Sequence, residues 1–113
     1  MSNSLHDNID VIESGYEYLL AYAAQGRASD AGTEVRTTLT GMADAATNIA
    51  AELSNNASDF GAVAVEDAGK AGAAIALVLA QEKISSELVD NLNASIHLRA
   101  LLTDLFLLSE TAT

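Results

Sequence analysis

The stretch 84–108 constrains the fold most, because it is strongly apolar and neither glycine nor proline interrupts it. Ser85 and Ser86 stand near its start, and a serine oxygen commonly accepts a hydrogen bond from a free N–H of a first helical turn. Glu87 then places negative charge near the positive end of the helix dipole. The stretch therefore predicts one long helix over 85–108.

On a helical wheel with about 100° between residues, the apolar side chains of this helix form a stripe that we expect to face the core. The stripe contains Leu88, Val89, Leu92, Ile96, Thr103, Phe106 and Leu107. A second face, predicted to be exposed, contains Asp90, Asn93, His97 and Asp104. A surplus of leucines falls outside the core stripe: Leu98, Leu101, Leu105 and Leu108.

Three earlier segments, 4–25, 31–53 and 58–82, also carry apolar residues at helical spacing, and the absence of proline agrees with long helices. Ser58 is positioned to cap the third. The second carries a heptad seam, formed by Val35, Leu39, Met42, Ala46, Ile49 and Leu53. Four helices with short connections predict a single all-α domain over 1–113, an up-down-up-down antiparallel four-helix bundle.

The third helix also carries a ridge of small residues at every fourth position. Its members are Ala64, Ala68, Gly72, Ala76 and Ala80. Small side chains let neighbouring helices approach closely, so Gly72 is predicted to face a tightly packed neighbour.

Charge and composition exclude several classes of partner and of chemistry. The chain has 16 acidic and 5 basic residues, and its net charge of −11 argues against nucleic acid and anionic membranes as partners. No apolar run approaches the roughly 20 residues that span a bilayer, and the N-terminus lacks a basic leader. The absence of cysteine rules out disulfides, thiol catalysis and cysteine-bound metal. We expect a cytoplasmic protein.

No motif predicts catalysis. The sequence has no glycine-rich phosphate loop after a strand, no nucleophile elbow and no Glu-x-x-His pair of the kind found in di-metal bundles. His97 shares its solvent-facing placement on a long helix with phosphotransfer histidines, but no neighbouring residue adds to that likeness. The prediction is a non-catalytic protein without cofactor or metal.

Two apolar sets lie outside the expected core and are predicted to bind a partner. The first is the set of surplus leucines, Leu98, Leu101, Leu105 and Leu108. The second is a stripe on the first helix, Val11, Tyr18 and Tyr22. The alternative is that both sets cover the ends of the bundle, but exposed apolar patches on soluble proteins usually mark an interface. The sequence thus favours a small interaction module that acts as a homodimer through its C-terminal helix, with a further protein partner possible.

Arg99 falls inside the predicted core stripe, where an unpaired charge is very unfavourable. Antiparallel packing of the last two helices places Asp67 level with it, so a buried Arg99–Asp67 ion pair is predicted; the alternative is that Arg99 reaches the edge of the stripe. With Tyr16, these residues are the candidates for a second hypothesis, a bundle that binds a small ligand or metal. A third hypothesis comes from composition: the alanine-rich, cysteine-free amphipathic helices resemble phasins, which implies a granule-surface protein.

Overall fold

Five α-helices form the part of the chain that the computed structural model describes, residues 3–55 and 58–111, and these residues form no strand. The helices are α1 (Asn3–Ala23), α2 (Val35–Ser54), α3 (Asp59–Leu79), α4 (Ser86–Ala94) and α5 (Ile96–Thr111). The all-α prediction is confirmed. None of the described helices combines the length and the apolar character needed to cross a membrane.

The first three helices pack side by side, with α2 between α1 and α3. Hydrogen bonds join Ser4 to Glu52 and Asn8 to Asn48, so the start of α1 lies beside the end of α2. Arg36 at the start of α2 binds carbonyl groups at the end of α3. Each of these two neighbouring pairs therefore runs antiparallel. Of the last two helices, α4 packs mainly on α1 and α5 mainly on α3.

The heptad seam of α2 lies in the core, as predicted. All six of its side chains are buried: Val35, Leu39, Met42, Ala46, Ile49 and Leu53. They meet apolar residues of α1 and α3 in one continuous cluster. The predicted serine cap of α3 is also present, because Ser58 Oγ accepts a hydrogen bond from Gly61 N at 3.0 Å. Ser85 caps α4 in the same way.

The second helix begins at Val35 and not at Ala31, and the third ends at Leu79 and not at residue 82. Gly32 has φ +76°, a left-handed conformation that interrupts a helix, and Thr33 N donates to Asp30 O in a turn at 3.1 Å. At the end of α3, the Leu79 carbonyl accepts from Arg36. The turn before α2 and the hydrogen bond at the end of α3 thus make both helices shorter than predicted.

The prediction of a single helix over 85–108 is wrong, because the helix is interrupted at Ser95. Ser95 has an extended backbone (φ −64°, ψ 144°), and its Oγ donates to Leu92 O at 2.7 Å. In an unbroken helix, at about 100° per residue, buried Val89 and Leu92 would lie roughly opposite buried Leu101. The break turns the apolar side of each half inward.

This rotation reverses the predicted faces of the C-terminal helix. Leu98, Leu101 and Leu105 are fully buried in the chain's own core, and Leu108 is half-buried. The expectation that these leucines form an exposed surface is therefore wrong for the first three. Four residues predicted to be buried are exposed instead: Ile96, Thr103, Phe106 and Leu107. Asn93 and Asp104, predicted to be exposed, are buried, whereas Asp90 and His97 are exposed as expected.

Candidate interaction surface

The exposed side of α5 carries a line of mainly apolar side chains. Ile96, Ala100, Thr103 and Leu107 follow one another at spacings of four, three and four residues, which keeps them on one side of a helix. Arg99 and Phe106 lie along one flank. The α5 outer face is defined here as these six residues. Its large apolar members are well exposed, Ile96 by 72%, Phe106 by 52% and Leu107 by 49%.

A shallow depression of about 450 Å³ follows the first half of this face. Ile96, Arg99, Ala100, Thr103 and Asp104 line it. It is open to solvent, and its walls come from α5 alone. Such a surface suits an elongated apolar side of another helix better than a small molecule, which usually binds in an enclosed pocket.

The charge near this face differs from that of the rest of the chain. Between Asp90 and Glu110 the sequence holds one acidic residue, Asp104, and its side chain is 7% exposed. Arg99, one of only five basic residues, is exposed on the flank. In a chain of net charge −11, the outer side of α5 therefore presents no exposed carboxylate between Ile96 and Leu107, and the exposed Glu110 follows beyond that end.

Asp104 on α5 is a buried carboxyl group. Its pKa is raised to about 7, chiefly by burial and then by interaction with the carboxyl group of the half-buried Asp67. The predicted Arg99–Asp67 ion pair is wrong, because Arg99 is exposed and no ion pair within 4.0 Å joins it to Asp67. The wheel that placed Arg99 in the core had assumed an unbroken helix.

The remaining interior candidate, Tyr16, is half-buried on α1 and packs against the core. It lies apart from Asp67, since no Cα atom of α1 comes within 8 Å of a Cα atom of α3 among the described residues. Those residues also include no group of three or more histidine, aspartate or glutamate side chains that could hold a metal ion. The structure thus does not bring Arg99, Asp67 and Tyr16 together into one site.

The predicted stripe on α1 is not a single exposed surface. Val11 is exposed and Tyr18 half-buried, and both border a groove of about 400 Å³ between α1 and α2. Tyr22 is 1% exposed; its ring stacks on Tyr18 at 6.3 Å, and its hydroxyl donates to Ile84 O at 2.6 Å. Burial raises the pKa of Tyr22. Tyr22 is therefore a structural residue.

Tyr22 belongs to a polar junction that ties the α1–α2 connection to the α3–α4 connection. The Asp30 carboxylate accepts hydrogen bonds from Ile84 N at 2.9 Å and from Arg36 Nε at 2.7 Å, and these bonds hold its pKa below the usual range. Arg36 also donates to the carbonyls of Gln81 and Glu82. Sequence reasoning missed this junction, because its members lie far apart in the chain.

Comparison with known proteins gives no family. No family model, curated protein or solved structure is significantly similar to this chain. Its function therefore has to be inferred from its own surface. Packing within the chain gives no reason for the α5 outer face, since large apolar side chains are exposed there while the leucines of the same helix are buried.

Proposed function

We propose that the chain is a small helical interaction module that pairs with a second copy of itself through the α5 outer face. The observation that carries the proposal is the exposure of Ile96, Phe106 and Leu107 on one side of one helix. Contiguous exposed apolar surface on a water-soluble domain usually marks an interface. In this proposal α4 and α5 share the fourth position of a bundle, and the module works in the cytoplasm without catalysis.

The spacing of the face supports a second copy as the occupant. The sequence of intervals from Ile96 to Leu107, four, three and four residues, is the same in both directions. Two α5 helices that cross antiparallel about a two-fold axis would therefore place Ile96 opposite the partner's Leu107, and Ala100 opposite the partner's Thr103. A two-fold interface requires a surface that is complementary to itself, and the symmetric spacing of this face supports such a pairing.

Charge supports the same arrangement. Copies of a strongly acidic chain repel each other, and the repulsion is smallest where no carboxylate is exposed. The face from Ile96 to Leu107 has this property, and Glu110 lies beyond its end. In the antiparallel pair, Arg99 lies near the partner's Phe106, where a guanidinium over an aromatic ring adds about 0.5–1 kcal/mol at an exposed site.

The size of the face sets the expected affinity. The 16 residues of α5 make a helix of about 24 Å, and one helix pair of that length lies at the small end of specific interfaces. We therefore expect a reversible dimer with a dissociation constant in the micromolar range, and not an obligate one.

Sedimentation velocity over a concentration series tests the proposal. Wild type should shift from monomer to dimer as its concentration rises, and Leu107→Glu should stay monomeric because it places a charge against the partner's Ile96. Leu20→Glu is the matched control, since Leu20 is also 49% exposed but lies on α1. A wild type that remains monomeric at about millimolar concentration, or equal effects of the two variants, would refute the proposal.

A further inference from the structure

The junction between α4 and α5 is a single residue, Ser95. Its backbone is extended (φ −64°, ψ 144°), while its N–H still donates to Asn91 O at 3.1 Å, as it does in a continuing helix. Its hydroxyl donates to Leu92 O at 2.7 Å. In a continuous α-helix the Leu92 carbonyl accepts from Ile96 N, four residues further on. The Ser95 side chain therefore competes for the acceptor that a continuous helix uses at this point.

Little else in this part of the sequence opposes a continuous helix. Residues 84–111 contain neither glycine nor proline, the two residues that disfavour helix most. Among the described residues, no side-chain oxygen accepts a hydrogen bond from the N–H of Ile96, His97 or Leu98 in the first turn of α5. A straight helix pairs these three N–H groups with carbonyls at the end of α4. Straightening the junction thus adds backbone hydrogen bonds that the bent form lacks.

The bent form also buries an amide group without partners. Asn93, in the last turn of α4, is 5% exposed, and neither its Nδ2 nor its Oδ1 has a hydrogen-bond partner among the described residues. A buried polar group without a partner is destabilising. Asn93 lies two residues before Ser95, so a straightened junction moves the chain that follows it and opens this region to water.

Packing prevents a single chain from straightening on its own. Leu98, Leu101 and Leu105 are fully buried, and α5 packs mainly on α3, with lesser contacts to α4 and α1. A straight helix through Ser95 lifts these leucines off α3, and the exposure of three large apolar side chains to water is very unfavourable. The α3 surface of a second copy, left open in the same way, fits them by identity of sequence.

We propose that the chain exchanges α5 with a second copy of itself. In the exchanged dimer α4 and α5 form one helix through Ser95, and each α5 packs on the partner's α3 with the contacts that it makes within one chain. Only the junction differs between monomer and exchanged dimer, and short connections of this kind favour such an exchange. The inference does not rest on pairing through the α5 outer face, which the exchange does not use.

Refolding from urea at high protein concentration tests the exchange, because α5 has to leave its own core before it binds another copy. The protein carries Leu107→Glu, which is expected to abolish pairing through the α5 outer face, so the two kinds of dimer are not confused. An exchanged dimer should separate from monomer on size exclusion. It should also persist after dilution, since its dissociation requires α5 to unfold from the partner.

Substitutions at the junction set the expected order of dimer formation. Ser95→Ala and Ser95→Gly both remove the hydroxyl that binds Leu92 O, but alanine favours a continuous helix and glycine opposes it. The association constant of the exchanged dimer should be on the order of 25-fold higher for Ser95→Ala than for Ser95→Gly, roughly fivefold for each of the two junctions. Ser109→Ala, in α5 but away from the junction, is the matched control and should not change the association constant.

Spin labels on either side of the junction measure its shape. Asp90→Cys and Glu110→Cys carry the labels at exposed positions, and dilution with unlabelled protein restricts the measurement to distances within one chain. The labels should be roughly 30 Å apart in the exchanged dimer, the length of 20 helical residues, and closer together in the monomer.

Absence of a persistent dimer in Ser95→Ala, equal association of the alanine and glycine variants, or the same label distance in dimer and monomer would overturn the proposal. If Ser95→Ala does not fold, the protein with native Ser95 decides. A persistent dimer with the longer label distance supports the exchange, and the absence of such a dimer overturns it. Loss of the exchange leaves the proposed pairing through the α5 outer face intact, because that pairing is measured on the protein with native Leu107.

Discussion

At the scale of single residues, Gly15 and Met42 define how closely α1 and α2 approach. A Cβ atom placed on Gly15 would lie 2.5 Å from both Cγ and Sδ of Met42, whose side chain is fully buried. Gly72, the glycine predicted to need a close neighbour, has open space around it, and the ridge that contains it ends in exposed Ala76 and Ala80. Helical periodicity identified a ridge of small residues, but it could not show which helix would face it.

Gly15→Ala should lower the free energy of unfolding by about 1–2 kcal/mol, because overpacking costs more than the roughly 1 kcal/mol gained in helix propensity. Gly69→Ala is the control. Gly69 is exposed in α3 with nothing near its missing side chain, so this substitution should stabilise the fold by up to about 1 kcal/mol. Urea denaturation measures both, and equal effects would show that α1 and α2 are not in close contact.

Tyr22→Phe tests the polar junction. It removes the hydroxyl that donates to Ile84 O and leaves that carbonyl without this donor, so unfolding should become easier by about 1–2 kcal/mol. Tyr18→Phe removes a hydroxyl from the neighbouring, half-buried ring and should change stability by less than about 0.5 kcal/mol. Thermal unfolding followed by circular dichroism distinguishes them. Similar losses in both variants would contradict the assigned role of Tyr22.

At the scale of elements, the α2 seam and the α4–α5 break show what periodicity can predict. The six seam residues follow one uninterrupted helix that is packed between two others, so the pattern and the buried face coincide. In 85–108 the buried residues of α4 and those of α5 follow two helical patterns that differ in phase. A helical wheel drawn for one continuous helix combined the two patterns. Ser95 ends α4 through its own side chain, but serine is also common on exposed helix surfaces, so a serine at this position is only a weak signal of the break.

The corrected orientation of α5 predicts losses of stability of different size for two leucines. Leu101→Ala should cost about 2–5 kcal/mol of stability, because Leu101 is fully buried. Leu107→Ala, at a half-exposed position, should cost less than about 1 kcal/mol. Chemical denaturation at a protein concentration below that of dimer formation isolates these effects. A larger loss of stability for Leu107→Ala than for Leu101→Ala would contradict this orientation. It would mean that Leu107 faces the core, as the unbroken helix predicted.

At the scale of the whole molecule, two aspartates give opposite dependences on pH. The pKa of Asp104 is raised to about 7, so its stabilising contribution is complete below about pH 4 and is lost as the pH rises towards 7. The pKa of Asp30 is lowered by its hydrogen bonds from Ile84 and Arg36, so its contribution is present above about pH 4 and is lost on further acidification. Stability should therefore be greatest at mildly acidic pH, near about 4–5.

Melting temperatures between about pH 3 and pH 9 check this profile. Asp104→Asn should remove the decline towards neutral pH, and Asp30→Asn should reduce the decline on the acid side. A wild-type melting temperature that rises steadily from pH 5 to pH 8 would contradict the assignment of Asp104.

Fold class and the α2 core could be predicted from the sequence, but the interaction surface could not. Its residues, Ile96, Phe106 and Leu107, have the spacing of core residues, and only the position of α5 on α3 shows that they are exposed. The buried carboxyl group of Asp104 was missed for a related reason, since this residue lay on the side of the wheel assigned to solvent. In both cases the deciding fact is a contact between elements.

Cysteine cross-linking tests the central claim, the antiparallel α5 pair, most directly, because the chain has no native cysteine. Thr103→Cys lies near the proposed two-fold axis and should cross-link to its own copy with a short bismaleimide. Ile96→Cys should not, because the two copies of residue 96 would be roughly 17 Å apart along the axis, but it should cross-link when mixed with Leu107→Cys. Efficient self-linking of Ile96→Cys, or no linking of Thr103→Cys above a Leu20→Cys control, would contradict the account.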